Sequence, residues 1–433
     1  MRDVVREAES SSACADLLAL YKEAVVAVSP EAKMPRVLPV ATFGRTLIIA
    51  IGKAAAEMMR VAVTRTRPGT RVKGLIVTCY GHLHPSWKMP ADISAIEAAH
   101  PFPDENSVRA AEEVLTLVSE LRAGDQLLVL LSGGGSALVA APAPGVELAD
   151  KREVTRALLH SGATISEINC VRKHLSAIKG GRLAQAARAA HVSTWIISDI
   201  PGDDPSFVCS GPTVADETTL AMARDIVAQY GITLPPRAAR ALEDPANETP
   251  PMDALGLAGG EVRIIARARD ALAAASELAR VRGYEVSMLG DQLQAEARHL
   301  GASHAALARR LGKPAKRIAI ISGGEATVHV RNPAGRGGRN QEYLLSLAIT
   351  LEGAPGIHAL ACDTDGIDGT AQAAGAIVTP TTLARARQLG MDPADYLMRN
   401  DSYSFFERLG DLVVTGPTFT NVNDFRVILC DSK

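Results

Sequence analysis

Short apolar runs alternate with longer alanine-rich stretches along most of the chain. "TLIIAIG" (46–52) leads into "KAAAEMMRVAV", "DQLLVLLSGGGS" (125–136) leads into "ALVAA", and "STWIISDI" (193–200) ends at "PGDDP". Apolar runs of this length, bounded by turn formers, read as strands buried on both faces, and the segments after them as helices. The alternation is the βαβ rhythm of a largely parallel sheet covered on both sides. Ligands of open α/β sheets bind beyond the carboxyl ends of the strands, so these three turns are the first places to look for chemistry.

A proline-rich stretch, residues 230–260, has weak periodicity and reads as a link between domains. After it the rhythm resumes as strand, helix, strand, and "KRIAIISGGEATVHV" (316–330) opens a second sheet. Leu344, Leu347, Ala348 and Leu351 recur at i, i+3, i+4 and i+7, which predicts a helix after Gln341. Single cores stop growing near about 250–300 residues. A chain of 433 residues therefore suits two domains with a cleft between them.

Composition narrows the function more than the fold. Aromatics are only 4% of residues, so packing rests on Ala, Leu, Val and Gly. Lys plus Arg (46) nearly balances Asp plus Glu (48), which gives no electrostatic footprint for nucleic acid or an anionic membrane. A small-molecule ligand is the default. Six scattered cysteines, with no CxxC pair, read as reduced thiols and not as a zinc site. The polar start "MRDVVREAESSS" and the lack of an apolar run near ~18 residues predict a cytoplasmic protein.

Three turns could hold an anion. "SGGGSA" (132–137) follows a strand with two hydroxyls flanking three glycines, either as a phosphate cradle or as a tight turn needing positive φ. Lys53, one turn past a strand-ending glycine, would face the ligand edge as a compact cation. "GRGGRNQE" (335–342) precedes the helix after Gln341, where unpaired N–H groups and the dipole favour an anion. There Arg339 reads as a bidentate fork for an external anion, or as the partner of a nearby carboxylate. Carboxylates cluster at "SDIPGDDPS" (Asp199, Asp203, Asp204) and "CDTDGIDG" (Asp363, Asp365, Asp368), where they could cap turns, meet Mg²⁺ or accept a proton. The histidines lack metal-ligand spacing, and Ser136 is not in a G-x-S-x-G elbow.

Taken together, "GKAA", "HPFPDENS", "LLSGGGSALVAAP", "EINCVRKHLSAIKGGRLA", "ISDIPGDDPSFVCSGPT", "SGGEATVHV", "GRGGRNQE", "DTDGIDGTAQAAGAIV" and "TGPTFTNVNDFRV" resemble the type II glycerate kinases that carry a C-terminal MOFRL domain. The resemblance covers most of the chain from about residue 40. It implies a Rossmann-like α/β/α domain over residues 1–245, a smaller α/β domain over 246–433 including MOFRL at about 315–430, and an active site in the cleft between them. It also implies transfer of the ATP γ-phosphoryl group to the 2-hydroxyl of D-glycerate with Mg²⁺ or another divalent cation, by a monomer or homodimer.

Carried over by position, Lys53, Asp199 and Arg339 are the catalytic residues. Ser132, Gly133, Gly134, Gly135, Ser136, Gly323, Gly324, Glu325 and Asn340 line the nucleotide site, with Asp199 and Asp365 at the metal. Phe419 departs from the glycine more usual in the final block. Two rivals are an NAD(P)H-dependent hydroxypyruvate reductase, whose G-x-G-x-x-G fingerprint is absent, and a non-catalytic nucleotide or sugar-acid sensor.

Overall fold

The computed structural model describes residues 12–432, apart from 68, 85, 188–189, 252–260, 312–314 and 371. The chain divides into two compact units, residues 33–265 and residues 1–32 with 266–433.

Helix α1 (Ser12–Ala27) buries Leu17, Leu20, Tyr21 and Ala24, and it belongs to the second unit. The first unit is built on a sheet of six strands: β1 (Thr46–Ile51), β2 (Val72–Cys79), β3 (Ile93–Ala98), β4 (Gln126–Leu131), β5 (His191–Ile197) and β6 (Glu261–Ala266). Their order is β3-β2-β1-β4-β5-β6, and the pairings from β3 to β5 are all parallel. This is the doubly wound order, in which the chain reverses its direction across the sheet between β1 and β4. Every residue of β1 and β4 is buried, as the unbroken apolar runs require. Helices α2 (Ala55–Arg65) and α3 (Glu105–Ser119) follow β1 and β3. The "HPFPDENS" block starts α3 with a reciprocal cap: Asp104 Oδ1 accepts from Ser107 N–H at 3.0 Å, and Asp104 N–H donates to Ser107 Oγ at 3.0 Å.

Between β4 and β6 lies a satellite core of helices α4 (Leu148–His160), α5 (Ile165–His174), α6 (Leu220–Gln229) and α7 (Pro236–Glu243). Helix α7 stands in the stretch read as a link. Pro236 starts it at a position where the missing N–H costs nothing, and Ala238, Ala241 and Leu242 fall on one stripe that packs into this core. Residues 252–260, the rest of that stretch, lie outside the described residues.

The second unit alternates α8 (Ala268–Val281), β7 (Glu285–Leu293), α9 (Ala297–Leu311), β8 (Ile318–Gly324), α10 (Arg339–Leu351) and β9 (Ile357–Asp363), then adds β10 (Gly375–Val378), β11 (Leu412–Val413) and β12 (Asp424–Cys430). Its sheet runs β11-β10-β9-β12-β8-β7. Only β7 and β8 pair in parallel; the other neighbours are antiparallel, so the same βα rhythm yields a mixed sheet here. Helices α9 and α10 approach so closely at Gly301 that a Cβ there would lie 2.2 Å from the Tyr343 carbonyl oxygen.

Helix α1 joins this unit through α8, β9 and β12. Asp16 accepts from Tyr284 Oη at 2.7 Å, from Arg317 at 3.1 Å and from Arg282, while Tyr21 Oη donates to the Asp363 carbonyl at 2.8 Å. The division expected at 245/246 therefore differs from the compact units at both ends. An amphipathic first helix carries no sign of which sheet will cover it, and β6 completes the first sheet after the proline-rich stretch.

Candidate active site

In the first unit, the carboxyl ends of β1, β4 and β5 are neighbours at the switch point of the sheet. Lys53 follows β1, the Ser132–Ser136 turn follows β4 and Asp199 follows β5. The first two turns interlock. Lys53 N–H donates to the Gly133 carbonyl at 3.0 Å, and Ala54 N–H donates to Ser132 Oγ at 3.0 Å. Gly52, at φ 123°, leaves no room for a side chain, because a Cβ would lie 2.3 Å from Ser132 Oγ. Gly134 is left-handed at φ 83°, and a Cβ on it would come within 3.2 Å of the His100 ring and 3.5 Å of Lys53 Cγ. Gly134 thus meets the tight-turn reading through its positive φ, and Gly135 is glycine because a Cβ on it would lie 2.3 Å from Cys209 Sγ.

Beneath the turn, Cys209 Sγ lies 3.2 Å from the Ser132 carbonyl oxygen. Burial and then the charge of Asp199 push the Cys209 thiol up to about 12, so it is a thiol and not a thiolate at neutral pH.

Ser136 has cationic neighbours that sequence reasoning missed. Its Oγ accepts from Lys179 Nζ at 2.7 Å and Arg172 Nη2 at 2.8 Å, and it lies 3.0 Å from Ser210 Oγ. Arg172 and Lys179 stand in the "EINCVRKHLSAIKGG" block. Their only signal was a cluster of basic residues, Arg172, Lys173 and Lys179, in one of the blocks that carry the resemblance.

In the second unit, Arg339 is the first residue of α10 and not a residue ahead of it. Its Nε donates to Asp424 at 2.6 Å, Nη1 to Glu325 at 3.1 Å, and Nη2 to Asp363 at 2.8 Å and Asn423 at 3.4 Å. One Nη1–H of the guanidinium is left over. Burial disfavours the cation, but the charges of Asp424, Asp363 and Glu325 outweigh it and hold the Arg339 pKa well above its usual value. The geometry realises the carboxylate-pairing alternative for Arg339, and the side chain, 23% exposed, still reaches solvent.

The N-terminus of α10 already holds an internal anion. Asp368 accepts from Asn340 N–H at 3.0 Å and from Gln341 N–H at 2.9 Å. Those N–H groups, expected to face an external anion, face this carboxylate instead. Asn340 is buried, and its Nδ2 is divided between Asp424 at 2.8 Å and Asp368 at 3.3 Å. Gly323 and Gly324 lie inside β8 opposite Phe425 and Asp424. Gly324, at φ 115°, is glycine because a Cβ would lie 2.3 Å from the Leu293 carbonyl oxygen. Asp365 is buried, accepting the Ile367 N–H at 2.8 Å and donating its own N–H to Asp363 at 3.2 Å. Phe419 adopts φ 59°, the left-handed region where glycine is strain-free.

Among the described residues, no group of three or more His, Cys, Asp or Glu side chains gathers as a metal cage. A Mg²⁺ carried by phosphate oxygens generally needs only one or two protein carboxylates.

Burial is the largest influence on Asp368, and the nearby Asp424 charge adds to it; against the two N–H bonds and Arg339, they raise its pKa to about 6. A folded-state value above the unfolded one means that Asp368 contributes stability in full below about pH 4, lost as pH rises through about 6. Across that window wild type should lose about 3 kcal/mol relative to Asp368→Asn. Denaturant unfolding of both proteins from pH 4 to 7 reads this difference; parallel curves would contradict it.

Residues 16–243 match a family model described as a domain of unknown function, DUF4147, and residues 318–424 match the MOFRL family. A D-glycerate 2-kinase of Thermotoga maritima is 40% identical over 409 residues, which span 94% of this chain and 95% of that one. A protein of Agrobacterium vitis, named provisionally as a hydroxypyruvate reductase, is 50% identical over 415 residues, spanning 95% of this chain and 93% of its own. The crystal structure of a glycerate kinase from Thermotoga maritima superposes with a TM-score of 0.82 at 38% identity, covering 95% of this chain and 98% of the other. With both family models matched in order and a glycerate 2-kinase aligned along nearly the whole length, the chain belongs to the glycerate 2-kinase family with a C-terminal MOFRL domain.

Proposed function

We propose that the protein phosphorylates D-glycerate at its 2-hydroxyl with ATP, giving 2-phosphoglycerate and ADP. The observation that carries this reading is the interlocked pair of turns, Lys53 with Ser132–Ser136, at the switch point of a doubly wound sheet in a chain so similar to a glycerate 2-kinase. In the reaction a bond forms between the glycerate 2-oxygen and the γ-phosphorus, and the bond from that phosphorus to the β–γ bridging oxygen breaks. The transition state is loose, so catalysis consists of positioning and charge neutralisation.

Lys53 supplies a cation at the strand ends, and the glycine turn supplies N–H groups to phosphate oxygens. Asp199 accepts the hydroxyl proton or meets the metal, and Arg339 offers its remaining N–H and its charge to the reacting phosphates. A Mg²⁺ brought with the nucleotide would neutralise phosphate charge. Asp199 is the residue suited to meet it, and Asp365 the second candidate. Among the described residues no helix is long and apolar enough to cross a membrane.

The Agrobacterium vitis relative's name motivates one rival, hydride transfer from NAD(P)H to hydroxypyruvate. The doubly wound sheet would suit a dinucleotide, but the turn after β1 reads G-K-A-A-A-E and not G-x-G-x-x-G. Incubating pure protein with ATP, Mg²⁺ and D-glycerate should release ADP, with ³¹P and ¹H NMR placing the phosphate on carbon 2. No glycerate-dependent ADP, together with hydroxypyruvate-dependent oxidation of NADH, would replace the kinase reading with the reductase.

A further inference from the structure

Three basic side chains of the first unit share one small region where, among the described residues, none has a carboxylate partner. Among the described residues Lys179 donates only to Ser136, through its carbonyl at 2.9 Å and its Oγ at 2.7 Å. Arg172 donates to Ser136 Oγ at 2.8 Å and to Asn169 Oδ1 at 3.5 Å, and Lys151 to the Ala141 carbonyl at 3.4 Å. Every one of these acceptors is neutral. The nearby Lys173 shows the contrast, since it is paired with Asp216 at 3.0 Å.

Buried charges are normally paired, because taking an ion out of water costs several kcal/mol. Here the groups work against one another. Burial first, then the charges of Arg172 and Lys151, hold the Lys179 pKa well below that of a free lysine. Burial, Arg172 and Arg182 bring Lys151 down to about 7. The backbone beside them is also strained: Cys209 and Ser210 are successive non-glycine residues at φ 53° and 61°. That conformation sets Ser210 Oγ against Ser136 Oγ and within 3.4 Å of Asn169 Oδ1. Strain and uncompensated charge in one place are the marks of a site prepared for a ligand.

We propose that Ser136, Arg172, Lys179 and Ser210 form a subsite for a compact oxyanion, with Lys151 behind it adding positive potential. The N–H donors are in supply. As an ammonium Lys179 keeps one N–H beyond its two bonds to Ser136, and Arg172 keeps three of its five. Ser136 and Arg172 are only half-buried, so the subsite is reachable. An anion there supplies the counter-charge that the fold omits and releases the mutual repulsion of the cations. Which oxyanion it takes in catalysis, the carboxylate of the hydroxy acid or a phosphate of the nucleotide, rests on the kinase reading; the existence of the subsite does not.

The test has two arms. Inorganic phosphate, against chloride at equal ionic strength, should raise the thermal midpoint of the whole wild-type protein, and Lys179→Met and Arg172→Met should each abolish that rise. In the kinetic arm each variant should raise one KM by about tenfold or more, the loss of roughly one charge-assisted contact. A rise confined to D-glycerate assigns the carboxylate, and a rise confined to ATP assigns the phosphate. If only one variant folds, it carries the test alone. If neither does, Lys151→Met should reduce the phosphate-dependent shift. A phosphate shift that persists undiminished in the folded variants, or no shift in wild type, overturns the proposal even if the enzyme is a kinase. A shift lost in the variants upholds it even if no kinase activity is found.

Discussion

Arg339→Ala should lower turnover on the order of 10³-fold or more, the usual cost of removing an arginine that stabilises phosphoryl transfer. It should also destabilise the second unit by about 3–5 kcal/mol, because Asp424 and Asp363 would be left buried without their main counter-charge. The two effects must be separated, since an unfolded variant is inactive for a trivial reason. Arg339→Lys does so. A lysine keeps the positive charge among Asp363, Asp424 and Glu325 and so keeps most of the stability. It loses the planar fork and with it the fixed direction of the remaining Nη1–H. Its turnover should still fall on the order of 10²-fold, as expected for a misplaced catalytic charge. Near-normal turnover in folded Arg339→Lys and Arg339→Ala would confine this arginine to holding the fold together.

The contrast between the two units explains what the sequence could and could not reveal. The strands β1, β4 and β5 were visible because residues buried on both faces write an unbroken apolar run, and the turns after them are punctuated by glycine. Lys53, Ser132–Ser136 and Asp199 stand out as candidates from that local pattern alone. The environment of Arg339 was not local. Its partners Glu325, Asp363 and Asp424 lie 14, 24 and 85 positions away, and they meet because β8, β9 and β12 are neighbours in the sheet, an order no periodicity encodes. The same holds for Asp368, whose carboxylate reaches back 28 residues to cap α10, so an N-terminus that looked open from its own residues is occupied. Arg172 and Lys179 were hidden differently. Helix α5 reads as amphipathic, and nothing in its spacing indicates that basic residues in and just after it approach a glycine turn 36 and 43 positions earlier.

The partner that holds Arg339 should have the largest effect on stability. Asp424 Oδ1 accepts from Arg339 Nε and Asn340 Nδ2, and Oδ2 accepts from Ala326 N–H at 3.0 Å and from Arg426. Its side chain is wholly buried, and Arg426 is 1% exposed with its remaining contacts to the Gly323 carbonyl and the face of Tyr343. Asp424→Asn keeps the shape and removes the charge. It would also turn an amide N–H₂ toward at least one group that can only donate, so two arginines lose a counter-ion and a buried donor loses its acceptor. The expected cost is about 3–5 kcal/mol, or roughly 10 °C in the midpoint of a unit of this size. The pH dependence gives a second check. Burial opposes ionisation of Asp424, but Arg339 and Arg426 outweigh it and hold its pKa below the usual carboxylate value. A folded-state value below the unfolded one means the contribution is complete above about pH 4 and lost as the pH falls through the folded pKa. The stability gap between wild type and Asp424→Asn should therefore be constant near neutrality and shrink in acid. A variant as stable as wild type at pH 7 would mean that Arg339 and Arg426 do not depend on this carboxylate, and the network around the catalytic candidate would have to be held by Asp363 and Glu325 alone.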